Sequence, residues 1–137
     1  MSMTAEVPAE IEKLKESAEY KRMKKQLSDR DWRLDNLYFI TDADGNEIKF
    51  RQNEAQRAYY QSRWRRDLIA KARQLGFSTE IMILITDTCL FRSNTAAGIV
   101  DAKLDDAKLK LAKIKFAYDR IPRYLRDAIP LTKSNTE

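Results

Sequence analysis

Across positions 78–91 the chain reads STEIMILITDTCLF, and this stretch limits the possible fold more than any other. Ile81, Met82, Ile83, Leu84 and Ile85 follow one another without a polar break. A segment that is apolar all round has no face to give to water, so other elements must cover it. Propensity alone would allow a strand, but the run outlasts a typical strand of about 5–6 residues. Ser78 and Thr79 are hydroxyl residues of the kind that open helices, and Glu80 would complement the positive end of one. The expectation is a buried helix.

At 137 residues the chain is one domain or a piece of one, long enough to build that cover. Hydrophobic residues at 43% and charged residues at 34% leave enough of each for a core and a hydrated surface. No apolar run reaches the length of a bilayer span, and Met1 opens no signal-peptide pattern. Cys89 is the single cysteine and histidine is absent. That excludes an internal disulfide, a His/Cys metal cage, and Ser-His or Cys-His nucleophilic catalysis. A reducing, cytosolic setting fits best.

The strands and helices around the run can be placed from local signals. Residues 8–27 read as a charged helix, with Pro8 at a first-turn position and Ile11, Leu14 and Ala18 on one stripe. In residues 37–50, LYFITDADGNEIKF, two strand-like runs flank Asp44-Gly45, which predicts a hairpin. The acidic turn is not a calcium loop, because Gly45 stands fourth from Asp42 where that loop needs its glycine sixth. Asn53 is a good N-cap for a helix carrying Ala55, Ala58, Tyr59 and Trp64. Residues 67–72 and 97–102 are strand candidates, and Asp105 is the expected cap of a helix that Pro122 ends. Strands alternating with helices predict an α/β fold, a parallel sheet flanked by helices.

The turn that feeds the buried helix is KARQLGFST, residues 71–79. A phosphate-binding loop reads G-x-x-x-x-G-K-[ST] between a strand and a helix. Here Gly76 and Ser78 take the second glycine and the hydroxyl position, while Lys71 replaces the first glycine and Phe77 the lysine. Such a loop binds through backbone N–H groups and the helix dipole, so the glycine matters more than the exact place of the cation. Just upstream, RAYYQSRWRRDLIAKAR sets Arg57, Arg63, Arg65, Arg66, Lys71 and Arg73 against Asp67 alone, within a chain of formal charge +5. That balance suits a polyanion, either nucleic acid or a nucleotide's phosphates.

Three stretches, FRQNEAQ, KARQLGFST and LDDAKLKLAKIKFAYDRIPRYLR, together with LFRSNTAAGIV, resemble the ATPase domain of the large terminase subunit of tailed bacteriophages, over residues 50–130. The resemblance implies a P-loop NTPase-like fold, incomplete here, with an N-terminal charged helix and a β-hairpin; residues 1–34 are the charged helical segment and 35–137 the partial ATPase domain. It implies ATP and Mg²⁺ as cofactors. Arg73 would be the fixed cation, Lys71 the displaced counterpart of the missing lysine, Ser78 the Mg²⁺ ligand and Thr79 a phosphate contact. Gln74, Gly76 and Phe77 complete the loop, and Gln56 would read the adenine edge.

The same resemblance implies double-stranded DNA, a terminase small subunit and a portal as partners. It further implies a homo-oligomeric motor, no membrane, and the host cytoplasm. ATP hydrolysis in this class also needs an acidic pair at a strand end. Asp105-Asp106 sits at a helix start instead, so no residue is assigned a catalytic role and binding without turnover is expected. The chain then reads as the first part of a longer ATPase that also carries a nuclease domain. The alternative is a small basic nucleic-acid-binding protein, or a remnant, without nucleotide chemistry.

Overall fold

The computed structural model describes residues 9–71 and 73–132. The chain divides into two compact units, Met1–Arg33 and Leu34–Glu137. In the first, the helix expected over 8–27 is split into α1, Ala9–Glu16, and α2, Ala18–Ser28. Ser17 causes the break: its backbone is extended and its hydroxyl accepts from the Tyr20 amide, so it caps a new helix instead of continuing the old one. Pro8 lies outside the described residues. No residue of α2 is buried. Helix α3, Arg30–Asn36, was not expected from the sequence; the Asp29 carboxylate accepts from the Asp31 amide and starts it.

The second unit is built around the apolar run. Helix α5, Phe77–Phe91, buries Met82, Ile83 and Leu84 together with Glu80, Thr86 and Asp87. Packed with them are Leu34, Leu37, Tyr38, Phe50, Ala117, Ile121 and Leu125. Several polar groups on this helix are paired inside it or with upstream segments. Thr86 and Thr88 donate their hydroxyls to the carbonyls of Met82 and Leu84, both at 2.7 Å. The Tyr38 hydroxyl donates to Asp87 Oδ1 at 2.6 Å, and Gln52 Nε2 donates to Glu80 Oε1 at 2.6 Å.

The hairpin is β1, Phe39–Thr41, antiparallel to β2, Glu47–Lys49, with Ile40 opposite Ile48. Gly45 takes φ 84° at its tip, and Asp42 accepts from the amides of Asp44 and Asn46. Those bonds hold the Asp42 carboxyl below its ordinary value, the Asn46 backbone amide foremost. Arg120 Nε donates to Glu47 Oε2 at 2.7 Å, tying the hairpin to the end of α6, Leu104–Asp119. The Tyr118 hydroxyl closes α7, Arg123–Ala128, by donating to the Ile129 carbonyl.

Three sequence expectations fail here. The two-stranded hairpin is the sheet among the described residues, and no parallel sheet accompanies it. Residues 67–71 and 97–101 are irregular, not strands, and Ala72 lies outside the described residues. A strand exists only when a neighbour takes its N–H and C=O groups, and Leu68 and Val100 stand 98% and 95% exposed. Asp105 does not cap α6; Lys103 holds that position, and Asp105 and Asp106 fall in the first turn, where their charge still favours the positive helix end.

Candidate functional site

The junction 73–80 is a tight bend followed at once by helix. Gln74 and Gly76 both lie in the left-handed region, at φ 64° and φ 74°. For Gly76 this is the conformation that glycine adopts without a Cβ penalty. Gly76 occupies the N-cap of α5 and contributes no side chain, so no side chain caps the helix. Ser78 and Thr79 therefore do not open the helix as expected; Phe77 does, and the two hydroxyl residues follow in its first turn. The first amides of a helix have no partners within it and carry the positive end of the macrodipole.

Helix α4, Glu54–Ser62, holds the bend from the other side. Asn53 and Gln56 form a reciprocal capping box: the Gln56 amide donates to Asn53 Oδ1, and the Asn53 amide donates to Gln56 Oε1, each at 2.8 Å. The same two side chains reach the bend. Asn53 Nδ2 donates to the Leu75 carbonyl at 3.3 Å, and Gln56 Nε2 donates to the Gly76 carbonyl at 2.8 Å. A Cβ added to Gly76 would lie 2.7 Å from that Nε2. Glycine is thus required twice, by φ and by the approach of Gln56.

Phe77 is buried and meets Tyr59 edge-on, with ring centroids 5.9 Å apart and planes at 80°. The place that would carry the lysine of an ordinary phosphate loop is therefore an aromatic anchor between α4 and α5. Burial, and then the Asp67 carboxylate, push the Tyr59 phenol above its ordinary value. Thr79 faces the other way. It lines a cavity of about 220 Å³ with Ile40, Met82, Ile83 and Phe116.

The structure thus brings Gln56 onto Gly76 and Phe77 onto Tyr59, and sets Ser78 and Thr79 in the first turn that follows. Lys71, Arg73 and Gln74 are exposed beside the bend. The wider cationic segment is also on the surface. Arg57, Arg65 and Arg66 are exposed, Arg63 stacks over Tyr60 at 4.0 Å from its centroid, and Trp64 is 79% exposed. Within it Asp67 accepts from the Trp64 amide with both carboxylate oxygens at 3.0 Å.

Among the described residues no cluster of acidic or cysteine side chains could hold a metal. Mg²⁺ that accompanies a nucleotide commonly binds through phosphate oxygens, waters and one or two protein oxygens such as a hydroxyl. Ser78, half-buried in the first turn of α5, offers one such hydroxyl. Among the described residues no helix is long and apolar enough to cross a membrane. No family model matches the chain, and no curated protein or solved structure does. The capping box was readable as N-x-x-Q in the sequence; its reach to the Leu75 and Gly76 carbonyls was not.

Proposed function

We propose that this chain is the ATP-binding, N-terminal part of a terminase-like DNA-packaging ATPase. The single observation that carries the reading is the glycine-capped start of α5, a positive-φ bend opening directly into helix with no side-chain hydrogen bond from its N-cap. Backbone amides of that kind bind phosphate oxygens, with the helix dipole aligned in favour of negative charge. Lys71 and Arg73 supply exposed positive charge on the same loop. Ser78 supplies the hydroxyl for Mg²⁺. In this reading the bend and α5 are the phosphate-binding part of a P-loop NTPase fold within a packaging assembly. Double-stranded DNA, the small subunit and the portal are partners of that whole assembly in the host cytoplasm.

One observation favours a second reading. Trp64 is exposed on the segment that also carries the exposed Arg57, Arg65 and Arg66, a combination of aromatic and cations that suits a nucleic-acid strand. Equilibrium binding of labelled ATP decides between the two. The first reading expects Mg²⁺-dependent binding that Lys71→Ala or Arg73→Ala weakens by about tenfold, the scale of one charge-assisted hydrogen bond. A well-folded sample that ignores ATP but binds DNA with a steep salt dependence overturns it in favour of the second.

A further inference from the structure

We infer that Gln56 is a positioning residue which locks the phosphate-loop bend from behind and does not read the nucleotide base. For its binding readout the inference rests on the reading above. The assignment of the amide follows from its partners. The Asn53 backbone N–H can only donate, so the Gln56 atom facing it at 2.8 Å is the carbonyl oxygen. The Gly76 carbonyl can only accept, so the atom facing it at 2.8 Å is the amide nitrogen. Both ends of the side chain are thereby fixed, and they cannot be exchanged by a flip without placing donor on donor and acceptor on acceptor.

Reading adenine requires the opposite exposure. A glutamine pairs with that base by presenting its oxygen and its NH₂ together along one free edge. The Gln56 residue is 5% exposed, packed between the start of α4 and the bend. To face a base it would have to abandon both the cap and the loop carbonyl.

Its present contacts have a clear mechanical result. The Gly76 carbonyl accepts from Gln56 Nε2 and, at 3.0 Å, from the Glu80 amide of the first helical turn. Asn53 Nδ2 holds the preceding carbonyl, that of Leu75. Two successive carbonyls are thus pulled toward α4. A peptide plane fixed through its oxygen is also fixed through its nitrogen on the far side, so the Gly76 and Phe77 amides are aimed by the same contacts. An anion site made of backbone amides gains affinity from such prior ordering.

The experiment compares Mg·ATP with Mg·tripolyphosphate, which has the phosphates and no base, on the full chain and on Gln56→Met, a substitution of similar length without polar atoms. Positioning predicts that both ligands weaken by the same factor, about 5- to 10-fold for one lost hydrogen bond, so that the ratio of their affinities does not move. It also predicts about 5- to 10-fold faster amide exchange across residues 73–80 without ligand, with the hairpin at 39–49 unchanged. Loss of ATP affinity alone, with tripolyphosphate untouched, makes Gln56 a base reader and overturns the inference. So does unchanged exchange across the bend. Should the parent chain bind neither ligand, the phosphate-loop reading fails, and the exchange measurement still judges the lock. Gln56→Glu, which keeps the acceptor for the Asn53 amide, serves if Gln56→Met unfolds.

Discussion

Replacing Gly76 by alanine is the most direct perturbation of the bend, and its effect can be built up term by term. At φ 74° an L-residue meets a steric penalty of about 1–2 kcal/mol. The new Cβ would stand 2.7 Å from Gln56 Nε2, the mobile end of a side chain, so the amide can swing away. Moving it breaks the bond to the Gly76 carbonyl, at about 1 kcal/mol. Against these stands the lower entropy of an unfolded chain with alanine in place of glycine, about 0.4–1 kcal/mol. The net expectation is a loss of about 1–2.6 kcal/mol, the sum of strain and lost bond less that offset. Urea unfolding followed by far-UV circular dichroism measures it directly. A double-mutant cycle separates the parts: with Gln56→Ala already in place only the strain remains, so the coupling between the two positions should be about 1 kcal/mol. A loss below about 0.5 kcal/mol, or strictly additive effects, would refute the claim that Gly76 is needed both for its φ and for the approach of Gln56.

Two further outcomes follow from other parts of the second unit. Tyr38→Phe removes a fully buried hydroxyl from the Asp87 carboxylate and should cost about 1.5–3 kcal/mol in the same urea titration; an unchanged midpoint would mean that this contact does not hold α5. The Asp42 carboxyl is depressed in the folded chain, so the stabilisation it gives the hairpin is complete above the unfolded value near 3.8 and is lost as pH falls through the lower folded value. Amide exchange of Asp44 and Asn46, corrected for intrinsic rates, should therefore quicken below that point, and Asp42→Asn should remove the pH dependence.

What could be read from the sequence was whatever depends on neighbours along the chain. The hairpin follows from Asp44-Gly45 between two β-prone runs, the start of α4 from Asn53 with Gln56 three residues on, and α5 from an apolar run too long for a strand. Residues 67–72 and 97–102 have strand-like composition, yet a strand is a relation between two segments, and composition cannot supply the second one. The split at Ser17 and the short α3 turn on single side chains closing on amides two or three residues ahead, Ser17 to Tyr20 and Asp29 to Asp31. Those signals were present but weak beside the helical charge pattern around them. At the candidate site the glycine and its bend were legible. The aromatic contact of Phe77 with Tyr59 and the reach of Gln56 to Gly76 join residues 18 and 20 positions apart, and no local rule joins them.

The two carboxylates buried along α5 have a consequence for how that helix is seated. Ile81, Met82, Ile83, Leu84 and Ile85 are nearly interchangeable in bulk, so greasy contact alone would tolerate several rotations of the rod about its axis. Glu80 and Asp87 fall on one side of it, two turns apart, and each is claimed by a different upstream segment, through Gln52 and through Tyr38. Like two teeth of a key, they admit a single orientation, and with it they settle which way the mouth of the helix points.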